Sequence, residues 1–185
     1  MGLQIQKYEL RQPIFCPADP EAASVAQRLA EAIVSRDGRL AVEHIGSTAV
    51  PGCGGKGYID LLVLYPEGLL DAAKAALDAL GYQRQPGREP FPEERPMRVG
   101  CVESSGRRYP VHAHVVAAND PEAERLLAFR DWLRRDAAEV RAYEAEKLRI
   151  LAAGVLDGVD YAERKTRFIE AALAAGEGAD PQRVN

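Results

Sequence analysis

Neither a disulfide framework nor a cysteine zinc site is written into this chain of 185 residues. Its three cysteines, Cys16, Cys53 and Cys101, are odd in number, far apart and without a CxxC spacing, so free thiols are expected. A basic surplus is missing too: 24 Lys and Arg stand against 28 Asp and Glu, for a net charge of -4. That balance argues against a nucleic-acid partner and for a small ligand. No apolar run approaches the roughly 20 residues that cross a bilayer, and Met1–Ile5 lacks the charged and apolar regions of a secretion signal. The expectation is a cytoplasmic protein with no membrane partner. No internal repeat stands out. What is present is ordinary globular usage, 46% hydrophobic and 28% charged, in a length that suits one domain or a core with an attached helical layer.

Apolar residues between Pro20 and Ser35 recur at helical spacing, and Asp37-Gly38 ends the run. Leu40–Ile45 is β-compatible, and Tyr58–Tyr65 is almost continuously apolar, as a strand covered on both faces would be. A helix is predicted over Leu69–Leu80, stopped by Gly81. Gln83–Pro96, with four prolines and little periodicity, reads as an exposed loop that could lie over a site. Met97–Glu103 and Tyr109–Ala117 flank Ser104-Ser105-Gly106 as a hairpin, which makes the sheet mixed. Three helices are predicted after Asn119-Asp120-Pro121, about Glu122–Arg135, Ala137–Ala153 and Gly158–Ala174, before a polar tail. The fold class is therefore α/β: a mixed sheet core over 1–118 and a C-terminal helical layer over 119–185, within a single domain.

Chemistry concentrates in Val42–Gly52 and the strand that follows. A strand ending in Gly46-Ser47 lets a ligand approach the backbone, where N–H groups and the Ser47 and Thr48 hydroxyls can hold phosphate oxygens, with Lys56 adding positive charge. Asp60 interrupts an apolar strand, and a carboxylate there is costly unless paired, hydrogen-bonded or bound to metal. All three histidines, His44, His112 and His114, fall near such features. His112 and His114 are two apart and share a strand face, so they converge with Asp60 if their strands are neighbours. Such a set suits a divalent metal, with zinc, manganese, iron or nickel preferred over magnesium, or acid–base work near neutral pH.

These residues resemble the GrpB family, whose members carry an EHIGST-VPG turn and a K-x-x-ID strand. The matching residues are Glu43–Thr48, Val50–Gly52, Lys56, Ile59 and Asp60. Val111–Val116 is similar to the family's HLHVV strand and Phe129–Arg134 to its FRDYLR helix; Tyr143 with Lys147, and Tyr161 with Lys165, Phe168 and Ile169, continue the match. The resemblance implies a polymerase-β-like nucleotidyltransferase core, in which Gly46-Ser47 takes phosphates and Asp60 is the first metal ligand. Leu62 departs from that pattern, because it stands where a second carboxylate would complete a two-metal site, and a hydrocarbon cannot ligate a hard cation.

Tyr143 and Lys147, like Tyr161 and Lys165, are four residues apart on otherwise apolar stripes. Lysines there need an anion, from core carboxylates or from a substrate, and Arg98 could join them. His44, Arg98, Lys147, Tyr161 and Lys165 thus form a candidate substrate-binding set, Gly46, Ser47, Thr48 and Lys56 a phosphate-binding set, and Asp60, His112 and His114 a catalytic or metal set, magnesium, manganese or zinc being the candidate ions. Three functions remain open: transfer of a nucleotidyl or phosphoryl group from a nucleotide or other phosphorylated small molecule, binding of such a molecule without transfer, and metal-dependent hydrolysis.

Overall fold

The computed structural model describes residues 4–87, 89–154 and 158–178; of the expected polar tail, 179–185 lie outside the described residues. Helix α1 (Ala22–Arg36) buries Ala22, Val25, Ala26, Leu29 and Ile33, the stripe its spacing predicts. Strand β1 (Ala41–Ile45) leads into a single 3-10 turn at Ser47–Ala49, and strand β2 (Ile59–Tyr65) follows. Helix α2 (Leu70–Ala79) comes next. Gln83–Arg84 forms a short strand, β3, where the prolines alone suggested loop. It pairs with β4 (Met97–Ser104), which turns through Ser105 into β5 (Arg107–Ala117).

The sheet order is β1-β2-β5-β4-β3. Only β2 and β5 run parallel; β1 with β2, β4 with β5 and β3 with β4 are antiparallel, so the sheet is mixed as expected. On one face, Ile59, Leu61, Val63, Val111, Ala113 and Val115 pack against α1 and α2. On the other, Leu62 and Val116 pack with Ile45 beneath α3 (Pro121–Arg135). Coverage on both sides explains the unbroken apolar run of β2, where Ile59, Leu61, Leu62 and Val63 are all fully buried.

Asp120 caps α3 by accepting from the Glu122 N–H, with Pro121 in the first turn, and Asp136 caps α4 (Ala137–Ala152) by accepting from the Ala138 N–H. Helix α5 (Gly158–Gly178) runs four residues beyond the expected end at Ala174. Phe129, Leu133, Tyr143 and Ala172 of these helices close over Val50 and Cys53. The helical layer is therefore seated on the turn that follows β1. All three cysteines are free thiols. No helix among the described residues is long and apolar enough to cross a membrane.

Candidate functional site

Gly46 ends β1 with φ 72° and ψ -171°, a backbone conformation that side chains with a Cβ rarely adopt. A Cβ at this position would also collide with the Asp60 carboxylate, so glycine is what lets the turn close onto β2. A Cβ on Gly55 would collide with the Ser47 hydroxyl and come 3.3 Å from Lys147 Nζ. Two glycines thus create the space around Ser47. Thr48 is already engaged: its hydroxyl donates to Tyr58 O at 2.8 Å and lies 3.0 Å from His44 Nε2, which must therefore be the donor to it. His44 sits opposite Leu61 in the β1–β2 register, whereas Ile45 sits opposite Asp60. Burial, assisted by Arg134 and Arg130 against the pull of Asp60, lowers His44 to about 4, so the ring is neutral near pH 7. His44 and Thr48 brace the turn, their side chains engaged with each other and with Tyr58 O.

Asp60, His112 and His114 do converge. The parallel register places Asp60 beside His112 and Leu62 beside His114. Asp60 Oδ1 lies 3.5 Å from His112 Nδ1 and 3.8 Å from His114 Nε2. One ligand atom from each residue falls within 4.8 Å of the others, a spacing that admits a single cation. Burial alone would raise the Asp60 carboxyl, but hydrogen bonding to the two imidazoles opposes it and holds the group well below the usual carboxylate range. Burial pushes His112 the other way, toward its neutral form. An ionised carboxylate beside a neutral imidazole is the protonation state a metal ligand set requires. Leu62, by contrast, is fully buried with Ile45, Val116 and Ala123 under α3.

Lys56 Nζ lies 4.8 Å from the Tyr58 ring and 5.2 Å from the Tyr161 ring. Among the described residues it has no carboxylate within ion-pair distance, and neither has Lys165. Burial, reinforced by Lys165 and opposed by Asp60, lowers Lys56 to about 8. Lys147 behaves differently. Its ammonium donates to Gly54 O, lies 3.6 Å from Cys53 Sγ and sits 4.0 Å from the Tyr143 ring centroid. Glu144, one turn earlier on α4, accepts from the Gly54 N–H at 2.5 Å. Helix α4 therefore grips both backbone polar groups of one residue in the loop, Gly54, and Lys147 braces that loop.

Arg98 is placed apart from Asp60 and the two histidines. It sits opposite Ala113, on the α1–α2 face of the sheet, and is tied to Asp78 at 2.7 Å and to Glu93 through two bonds of 3.1 Å. These carboxylates satisfy it away from Asp60. The loop expected to lie over the site does so through Phe91, whose ring meets His114 edge-on at 5.9 Å. One contact escaped the sequence reading: Tyr8, in the segment before α1, brings its hydroxyl to 2.9 Å from His112 Nε2. No periodicity or motif marks that tyrosine. A cavity of about 140 Å³ opens beside the turn, lined by Thr48, Lys56, Tyr58 and Tyr109 among others; Asp60 and the two histidines are not in its wall.

The GrpB protein family model matches residues 16–175. A UPF0157 protein from Pseudomonas aeruginosa is 36% identical over 168 residues, 86% of this chain and 67% of that protein. Another from Deinococcus radiodurans is 40% identical over 128 residues, 69% of this chain and 62% of that protein. The chain spans about two thirds of the length of these curated relatives. Among solved structures, the conserved protein GrpB from Enterococcus faecalis superposes with a TM-score of 0.66 at 25% identity, covering 89% of this chain and 99% of that one.

Proposed function

Since the chain belongs to the GrpB family, we propose that it binds a nucleotide or another phosphorylated small molecule and acts on its phosphoryl group beside one divalent cation. The observation that carries this reading is the pairing of two features close enough to act on each other electrostatically. A carboxylate and two imidazoles lie within mutual ligand distance, and a half-buried amine, Lys56, stands near them without a carboxylate partner among the described residues. An ammonium left so is stabilised by an incoming anion.

In this reading the Ser47 hydroxyl and the turn after Gly46 hold phosphate oxygens, and Lys56 and Lys165 balance their charge. Asp60, His112 and His114 would hold the cation, and the donor set fits zinc or manganese better than magnesium. A cation bound there would polarise a phosphoryl oxygen. Asp60 stays ionised throughout, while the neutral His112 keeps its place through contacts at both ring nitrogens. Phe91 narrows the access of water to His114.

The burial of Leu62 favours a second reading, a binding module without turnover, because among the described residues no second carboxylate joins Asp60 to complete a two-metal arrangement. Turnover assays separate the two. Untagged protein supplied with zinc, manganese or magnesium is mixed with nucleotides, and release of phosphate or transfer of a nucleotidyl group is followed. The proposal expects turnover with a transition metal, lost in Asp60→Asn and in His112→Ala. Tight nucleotide binding with no turnover under any metal supports the binding module.

A further inference from the structure

Tyr8 reaches the candidate metal site from a segment of chain that carries none of the residues the motifs single out. It is anchored there by backbone pairing. Gln6 and Cys101 exchange two hydrogen bonds of 2.7 and 3.0 Å, and the Tyr8 N–H donates to Gln83 Oε1 at 3.2 Å. The phenol ring lies 5.5 Å from the His112 ring, and Tyr58 meets the same imidazole edge-on at 4.9 Å. Packed in this way, His112 cannot turn over and exchange its nitrogens without moving two tyrosines. Nδ1 faces Asp60 and Nε2 faces the Tyr8 hydroxyl.

A neutral imidazole has one N–H, and its place follows from what each nitrogen faces. In the metal-free protein Nδ1 looks at a carboxylate oxygen of Asp60 3.5 Å away, and two lone pairs pointed at each other repel. The proton therefore sits on Nδ1, and Nε2 accepts the Tyr8 O–H. Ligation of a cation between Asp60 and His112 needs the Nδ1 lone pair. Nδ1 then gives its proton to solvent and Nε2 takes one up, with no net change in charge. Nε2–H now requires an acceptor, and the Tyr8 oxygen is the atom within reach. A hydroxyl serves in both directions, which a carbonyl or an ammonium does not.

We propose that Tyr8 is a positioning residue of the metal site: its hydroxyl donates to His112 Nε2 in the metal-free protein and accepts from it when Nδ1 ligates a divalent cation. The proposal rests on the metal reading of Asp60, His112 and His114. A cation on the ring makes the N–H more acidic and its bond to Tyr8 stronger than the bond it replaces, so the hydroxyl favours the loaded state.

The test uses untagged full-length protein and zinc. Long-range ¹H–¹⁵N NMR reports the His112 tautomer with and without zinc, and competition with a chelating dye gives zinc affinity for the wild type, Tyr8→Phe and Val99→Ala. Val99 belongs to the same buried cluster as Tyr8 and makes no hydrogen bond through its side chain, so its truncation loosens packing alone. The expected results are an Nδ1–H tautomer without zinc, an Nε2–H tautomer with it, and roughly tenfold weaker zinc binding in Tyr8→Phe, in line with the usual effect of removing a partner of a metal-bound histidine. Val99→Ala should bind zinc as the wild type does. An Nε2–H tautomer in the metal-free protein, or equal affinity in Tyr8→Phe and wild type, would overturn the role of Tyr8 while leaving the metal site standing. A wild type that binds no zinc would overturn the metal reading and this proposal together.

Discussion

A lysine ammonium lodged between two tyrosine rings, with no carboxylate at ion-pair distance among the described residues, is the residue on which the proposed ligand binding turns. Lys56 is lowered to about 8, chiefly by burial and then by Lys165, while Asp60 pulls the other way. The sign is direct: the charged form holds an anion, so anion affinity is full below about 8 and falls as pH rises through it. Measured from about pH 7 to 9.5, above the second ionisation of phosphate near 6, the dissociation constant for a nucleoside diphosphate should rise several-fold. In Lys56→Arg it should stay flat, because a guanidinium remains charged across this range. Leu62 yields the opposite kind of residue prediction. Its side chain is wholly enclosed by the apolar cluster under α3. Leu62→Asp should therefore cost roughly 3 kcal/mol or more in urea unfolding, since a carboxylate there has no cation or donor to meet it. Unchanged stability would mean that the position has access to solvent or a cation after all.

At the scale of elements, α4 matters through one residue of the loop, Gly54. Glu144 takes the Gly54 N–H and Lys147 gives to its carbonyl, so the helix holds the loop between Val50 and Tyr58 in register with the Gly-Ser turn. Lys147→Met should leave that carbonyl without its donor, a loss of roughly 1.5–3 kcal/mol for a bond to a charged group. Hydrogen exchange at Gly54 to Gly57 should speed up about tenfold or more, with little change in β2 and β5. Uniform acceleration would instead show that Lys147 supports the whole fold. The helices and strands were legible in the sequence because their signals are local: 3.6-residue stripes in α1 and α2, unbroken apolar runs where both faces are covered, and Asp-Pro or Asp at the helix starts. The same double coverage hid which way Arg98 points. Met97 to Val102 are all buried, so β4 has no alternation from which a face could be read. Lys147 donates to a backbone carbonyl, a neutral partner that side-chain patterning cannot reveal.

For the molecule as a whole, the mixed sheet sets a packed face and a partly covered face back to back. One face is closed by α1 and α2 and serves stability. The other is only partly covered, by α3, and carries Asp60, His112 and His114 beyond that cover. The convergence of Asp60 with the two histidines was readable from the HxH spacing once the strands were taken as neighbours, and the β2–β5 register makes them so. Tyr8 was not readable, because its position depends on the pairing of Gln6 with Cys101, nearly the whole sheet away in sequence. The central claim is that this face receives a phosphorylated molecule through Ser47 and Lys56. Calorimetric titration of zinc-loaded protein with adenosine diphosphate and with adenosine tests it most directly. The account predicts at least tenfold tighter binding of the diphosphate, with the preference lost in the Ser47→Ala, Lys56→Ala double variant. Equal affinity for the two ligands, or a preference that survives both substitutions, would contradict it.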